Sequence, residues 1–520
     1  MNTLLIFVLI TSTLSASIPS WGFNPEGTRY TKSKIDSSNI ARAVVESKVS
    51  LCGPIVSSPS IIEQDEFLPS LTGFSGDFGS CLTAFKEDGS ILWQKNMVTD
   101  YGLMIKAFSR NTPYYYKGML VIVQSGRWGY LESSFGVWTL VVNATTGNLM
   151  RKVLTSDFNR AYLTGSVNVN DKGVIFVGLS SGEEAASAVA ALSGQYYNCC
   201  YFGGKLIAYN ITNLAVIWER PTIPTALVGP GQYSGAAIVG HPTLYKNRVY
   251  VTTANLYWVP QSVTDCLLQN GFNASCVDPN VHFNAVLAIN QDTGVIEASF
   301  RSMSYDAWVV SCLVANLRLL CPPVLGDDYA FIESAVVVKD SKGEASIGVG
   351  QKSGIYWYLN AEDLRIKWKT TVGPGSFAGG VMYASTINEE GQIFVASTNG
   401  RRNNWTTIDG QVINSGAWLR LSPATGVKIW EKPTSDNSIA NAALASTNDI
   451  VLGQTGAGTM VAMRASTGET LWNFTHSIIA SIAGPTIHKE RIYWGTGRVL
   501  QFVPGSFPTP HYLYIFKVPA

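Results

Sequence analysis

The sequence predicts an all-β protein built as a β-propeller. Three observations carry that expectation: a hairpin motif that returns seven times, a second strand signature upstream of most copies, and a composition rich in turn formers and aromatic rings. The 520 residues include 48 glycines, 14 Trp, 23 Tyr and 21 Phe, whereas charged residues make up only 14%. An average soluble domain carries about 25% charge, so this chain has material for a large core and many turns. A hydrophobic content of 46% excludes a disordered chain. The 37 Lys and Arg nearly cancel the 36 Asp and Glu, and no run of like charge occurs. A nucleic-acid footprint or a polybasic membrane patch is therefore not expected.

The N-terminus carries an unbroken apolar run, Leu4 to Ile10, followed by small residues up to Ala16. It reads as a signal peptide over 1–16, with 17–520 forming a single mature domain. A buried first strand is the rival reading, and the absence of Lys and Arg before the run departs from the usual signal pattern. The other long apolar stretch, Trp308 to Leu325, contains Ser311, Cys312, Asn316, Arg318 and Cys321. Unpartnered polar groups are costly in lipid, so a tucked loop is expected there and no membrane span.

Eight cysteines fall at Cys266 with Cys276, Cys312 with Cys321, the adjacent Cys199 and Cys200, and the distant Cys52 and Cys81. An even number at short spacings fits disulfides and an oxidising compartment. Zinc is the rival, but no CxxC, HxH or HExxH is present and the five histidines stand apart. NxS/T sequons at Asn143, Asn210, Asn273, Asn404 and Asn473 agree with a secreted glycoprotein.

The repeat is most complete in Leu82-Thr-Ala-Phe-Lys-Glu-Asp-Gly-Ser-Ile-Leu-Trp93, Leu419-Arg-Leu-Ser-Pro-Ala-Thr-Gly-Val-Lys-Ile-Trp430 and Val461-Ala-Met-Arg-Ala-Ser-Thr-Gly-Glu-Thr-Leu-Trp472. Related segments begin at Leu140, Ile207, Leu287 and Trp357. Each is an apolar alternating strand, a polar turn with Gly or a substitute where φ is positive, and a second strand. In five copies that strand carries Trp: Trp93, Trp218, Trp368, Trp430 and Trp472. Further strands are expected around 172–177, 246–251, 390–395 and 489–494. Such a unit cannot bury both faces of its sheet alone, and stacking copies around an axis solves this while leaving only short edges. An indole at one place per blade would fill the wedge between neighbouring sheets, its N–H needing an acceptor there. The one helix expected is Glu183 to Leu192, an Ala-rich run in a blade insertion.

The pattern Ala-x-Asp-x-x-Thr-Gly-x-x-x-Trp resembles the tryptophan-docking motif of quinoprotein alcohol dehydrogenases. That resemblance implies an eight-bladed propeller of four-stranded antiparallel blades holding pyrroloquinoline quinone (PQQ) on the axis, with seven visible copies and one blade closed by both termini. The likeness is greatest to polyvinyl-alcohol-dehydrogenase-like secreted proteins. It rests on Cys199-Cys200 after an acidic pair, Tyr233-Ser-Gly-Ala-Ala237, Val251-Thr-Thr-Ala-Asn255 ahead of Pro260, Asp306-Ala-Trp with Cys312, Gln351-Lys-Ser-Gly354 and Val372-Gly-Pro-Gly375. It implies that Glu184 and Asn255 ligate Ca²⁺, hard oxygens suiting that ion. Lys352 resembles the basic residue that contacts the quinone oxygens, and Asp306 the acidic residue near the base position. The bland readings are turn residues for Glu184 and Asn255 and a solvated strand-end lysine for Lys352.

Three departures or oddities accompany the resemblance. Val309 stands where the family often has a second acid, and Val239 stands where relatives carry a Trp floor, with Trp308 and Tyr383 as candidate replacements. Cys199 and Cys200 either close a vicinal disulfide of the kind that lies over the cofactor in quinoproteins, or bond separate partners such as Cys52 or Cys81. The expected activity is oxidation of a small or polymeric alcohol or polyol by hydride transfer to PQQ. An external electron acceptor is required because no haem motif is present. The alternative is a cofactor-free extracellular binding or matrix propeller.

Overall fold

Each repeat closes into an antiparallel sheet because its apolar strands alternate toward two neighbours and its Gly-containing turns reverse the chain. The computed structural model describes residues 17–103, 111–124, 136–163, 165–476, 482, 484–497 and 511–520. The expected signal segment 1–16 lies outside them. Eight sheets follow in sequence, the first built from Ser60–Ile62, Thr72–Gly76, Cys81–Lys86 and Ile91–Asn96. The others begin at Tyr114, Asn168, Thr243, Val336, Thr386, Ala445 and Thr486. In the third blade the inner position is shared by two short strands, Ala161–Tyr162 and Asn168–Val169, both paired with Val174–Ser181. The eighth blade consists of Thr486–His488, Arg491–Gly495 and Tyr512–Lys517, and Val44–Ser50 adds its outer strand. Both ends of the chain thus close the ring, as the count of seven copies implied.

Every one of the seven hairpins carries a register shift just before its turn, for example between Ala84 and Phe85 and between Ala462 and Met463. A bulge there sharpens the local twist of the outer strand. The docking role expected of the indoles is present. Trp93 Nε1 donates to Ala144 O at 3.1 Å, Trp218 to Gln291 O at 2.9 Å, Trp368 to Pro423 O at 2.9 Å and Trp430 to Ala465 O at 2.9 Å. Each acceptor lies on the turn of the next blade, where the ring covers the turn glycine. At Gly468, φ is +72° and a Cβ would lie 2.8 Å from the Trp430 ring, so only glycine fits. Trp472 packs edge-on against Phe516 of the eighth blade, centroids 5.2 Å apart.

The N-terminal segment forms a belt that touches the inner edge of all eight blades in order. Ile18 pairs with Ile61, Tyr115 N donates to Pro19 O, and Asn168 Nδ2 and Leu244 N donate to Pro25 O. Val337 N then reaches Glu26 O, Ile387 N reaches Thr28 O, Ser446 N reaches Arg29 O, and Lys34 N donates to Lys489 O. Arg29 is fully buried and ties this belt to blades seven and eight and to Ser58. Its guanidinium donates to Trp21 O, to Leu444 O at 2.6 Å, to Pro485 O at 3.0 Å and to Ser58 Oγ at 3.2 Å. Burial pushes its pKa down to about 9.

The helix Glu183–Leu192 is where the sequence placed it. A second helix, Gln261–Asn270, was not expected: its apolar periodicity is confined to Val263 and Leu267, and the Cys266–Cys276 disulfide pins it. The Trp308–Leu325 stretch differs from the tucked loop expected. It forms short 3₁₀ turns, Val310–Leu313 and Ala315–Leu320, crossed by the Cys312–Cys321 disulfide, with Leu319 97% exposed. The cross-link supplies local order that burial does not. Cys52 pairs with Cys81 and Cys199 with Cys200, deciding between the two readings of the vicinal pair. Among the described residues no helix is long and apolar enough to cross a membrane.

Candidate active site

Successive blades contribute to one cavity from equivalent loops. Glu184 follows Val174–Ser181, Asn255 follows Arg248–Thr252 and Lys352 follows Ala345–Gly350, each the second strand of blades three, four and five. The cavity has a volume of about 340 Å³ and is lined by these three residues together with Asp328, Trp308, Phe377 and others. That volume falls within the range of about 300–1,000 Å³ usual for small-ligand sites.

Lys352 Nζ bonds Asp328 Oδ2 at 2.8 Å, the two side chains being 9% and 2% exposed. The other oxygen, Asp328 Oδ1, is buried with no hydrogen-bond partner. Asn255 Nδ2 donates to Leu256 O at 2.9 Å and to Trp308 O at 3.0 Å, which orients the amide. Three carboxyl groups, Glu184, Asp306 and Asp328, act on a single ammonium here. Burial raises the pKa of Glu184, and nearby Asp306 adds to this against the pull of Lys352 and Asn255. Burial likewise pushes Asp328 well above the usual carboxylate range, with Glu184 and Asp306 reinforcing it. For Lys352 burial acts downward, but attraction by Asp328 and Glu184 outweighs it and the pKa rises.

Asp306 does not line the cavity. It is fully buried behind it, accepting from Asn284 Nδ2 at 2.7 Å, Asp328 N at 3.0 Å and Tyr329 N at 2.7 Å. It holds the backbone of Asp328 in a left-handed conformation, φ +56°, and the close approach needs Gly326, where a Cβ would lie 2.1 Å from Asp306 Oδ1. The acid that faces the cavity beside Glu184 is Asp328, for which the sequence analysis gives no role. Its signal was the Gly326-Asp-Asp328 triplet, a tight turn delivering acids after a disulfide-closed loop.

Val239 lines the cavity, and so do both rings named as replacements for the absent Trp, Trp308 and Tyr383. Trp308 stacks on Phe377 with centroids 5.8 Å and planes 17° apart. The Cys199–Cys200 disulfide is not part of the lining. Cys200 is buried in the apolar cluster with Ala237, Ala254 and Tyr257, which themselves line the cavity, so the disulfide sits one layer behind.

The residues fit a divalent cation, because two carboxyl groups, one with an orphaned oxygen, meet the Asn255 amide in one cavity, all hard oxygen donors. They also fit a flat ligand, since the cavity combines a stacked Trp308–Phe377 face with Lys352.

Residues 330–503 match the family model described as outer membrane protein assembly factor BamB. The polyvinylalcohol dehydrogenase of Sphingopyxis sp. (strain 113P3) is 28% identical over 275 residues, covering 50% of this chain and 38% of that protein. That of Pseudomonas sp. is 26% identical over 399 residues, covering 70% of this chain and 57% of that one. The chain therefore spans less than two thirds of either relative. Among solved structures, quinohemoprotein alcohol dehydrogenase from Comamonas testosteroni superposes with TM-score 0.69 at 14% identity, over 98% of this chain and 81% of that one. A europium-containing methanol dehydrogenase gives TM-score 0.69 at 14% identity, over 97% and 98%. BamB from Moraxella catarrhalis gives 0.52 at 10% identity, over 91% and 99%. With its docked indoles and eight blades, the chain is an eight-bladed β-propeller whose fold is similar to that of the quinoprotein alcohol dehydrogenases.

Proposed function

We propose that the protein is a secreted oxidoreductase that oxidises an alcohol or polyol using PQQ and Ca²⁺ held in the 340 Å³ cavity. The observation that carries this reading is the convergence there of Glu184, Asn255 Oδ1 and the unpartnered Asp328 Oδ1 around Lys352. When bound, the quinone would accept a hydride while the cation polarises its reactive carbonyl. Glu184 and Asn255 would hold the ion, and Lys352 would steady the quinone oxygens. Asp328 lines the cavity and takes over the proton-accepting role that the sequence assigned to Asp306, which becomes its positioning residue. Trp308, stacked on Phe377, supplies the ring face that Val239 does not. The substrate is small or polymeric, as the name of the polyvinylalcohol dehydrogenases suggests, and an external acceptor removes the electrons. Secretion after loss of 1–16, with 17–520 as one unit, is supported by four disulfides.

Purified protein mixed with PQQ and Ca²⁺ is expected to show a cofactor absorbance change and to reduce a dye in the presence of simple or polymeric secondary alcohols. Neither signal at saturating cofactor would sink the enzyme reading. A cofactor-free binding propeller is then the function, favoured by aliphatic Val239 on the floor, by the disulfide's absence from the cavity lining, and by the likeness to an assembly factor.

A further inference from the structure

We propose that Arg401, at the rim of the cavity, is the docking point for an anionic electron acceptor. The inference rests on the oxidoreductase reading for its purpose but not for its geometry. The turn carrying Arg401 is clamped onto the cavity loop: Thr398 N donates to Gly380 O at 2.7 Å and Gly400 N to Gly379 O at 3.2 Å. Gly400 fits so closely that a Cβ would lie 2.0 Å from Ala378 O. Asn399 braces the turn from within, its side chain bonding Asn403 N and Asn403 O at 2.9 Å each. The guanidinium carbon of Arg401 lies 5.1 Å from the centre of the Phe377 ring, and Phe377 stacks in turn on Trp308. Phe377 and Trp308 both line the cavity, so a continuous row runs from an exposed cation to the cavity wall.

Arg401 and its neighbour Arg402 are exposed, and neither has an ion-pair partner among the described residues. Stacking on Phe377 leaves the charge of Arg401 available. Arg401 therefore presents at the rim a positive charge without an ion-pair partner among the described residues, and an anion would rest there a single ring stack from the cavity. In the reaction an alcohol R₂CHOH becomes R₂C=O and releases two protons and two electrons. Two one-electron acceptors such as ferricyanide each take one electron, and both protons pass to solvent.

Ferricyanide, an anion, and hexaammineruthenium(III), a cation of similar shape, are the probes. Without any cofactor, ferricyanide is expected to quench tryptophan fluorescence saturably at low salt, with weakening by added NaCl. Arg401→Glu should raise its dissociation constant by about tenfold, whereas Arg365→Glu, on the outer turn of the fifth blade, should leave it unchanged. Hexaammineruthenium should show the opposite preference. Equal ferricyanide quenching in wild type and Arg401→Glu overturns the proposal. In reconstituted protein, Arg401→Glu should lower kcat/KM for ferricyanide about tenfold while kcat/KM for the alcohol stays the same, and an equal effect on both acceptors also overturns it. Charge-selective quenching without turnover by any acceptor would instead retain the anion site and remove the oxidoreductase reading.

Discussion

Asp328 and Lys352 meet at 2.8 Å with both side chains nearly buried, so changing either leaves the charge of the other without its partner. Lys352→Met would leave Glu184, Asp306 and Asp328 without a cation. Thermal unfolding should show a loss of roughly 3 kcal/mol, and added Ca²⁺ should recover more of the melting temperature in this variant than it adds to wild type. If turnover is found, Asp328→Asn should lower it by about 100-fold or more with a modest effect on KM. Asp306→Asn should instead lower turnover and melting temperature together, because it replaces one of the two oxygens that take the Asp328 and Tyr329 amides with a donor. Glu333 offers a pH test away from the cavity. Its oxygens take the Gly350 and Ser385 amides, and burial pushes its carboxyl from 4.5 up to about 7. A raised folded-state pKa means that the folded protein keeps a proton the unfolded chain has lost. Its stabilising contribution is therefore full below 4.5 and is lost as the pH rises to about 7. Chemical denaturation of Glu333→Gln should show a flatter decline across that window, and an unchanged slope would assign the pH dependence to other groups.

At the scale of elements, the docked indole is the repeated joint. Trp430 is nearly buried and bonded to Ala465 O, so Trp430→Ala should cost about 3–5 kcal/mol in unfolding free energy. Trp430→Phe should cost less while leaving that carbonyl without its donor. The joint between blades four and five shows that the acceptor matters as much as the ring. Ala298 stands at the indole position, and the equivalent carbonyl, Ala361 O, is taken by Tyr250 OH at 2.8 Å and Arg248 Nη1 at 3.1 Å. The strands and the helix Glu183–Leu192 were legible because their apolar spacing is local. Gln261–Asn270 was not, since its order comes from a cross-link to Cys276 and from packing against the insertion around Val277 and Val281.

Over the whole molecule, the belt from Ile18 to Lys34 adds a second closure to the one made by Val44–Ser50. Closing a ring of sheets at both the outer edge and the axis makes the ends of the chain part of the cooperative unit. Arg29→Met would leave the carbonyls of Trp21, Leu444 and Pro485 without their donor. The expected result is a loss of at least about 3 kcal/mol and faster amide hydrogen exchange along the belt and the inner strands of blades seven and eight. Exchange that accelerates only around Arg29 itself would show that the belt is not coupled to the ring.

The propeller, the number of its visible hairpins and the positions of the five indoles were legible in the sequence, because each hairpin lies within a dozen residues, although the carbonyls that four of the indoles reach lie 35 to 73 residues further on. The sequence also marked Glu184, Asn255 and Lys352, which proved to share one cavity. Tertiary structure alone decided which acid faces that cavity, that the ring face is Trp308 on Phe377, that the vicinal disulfide lies one layer behind, and that the N-terminal segment crosses every blade. The physical reason is that the cavity wall is assembled from loops of blades three to six, far apart along the chain. Whether a carboxylate there points inward or is consumed by backbone amides, as Asp306 is, depends on groups that only folding brings beside it.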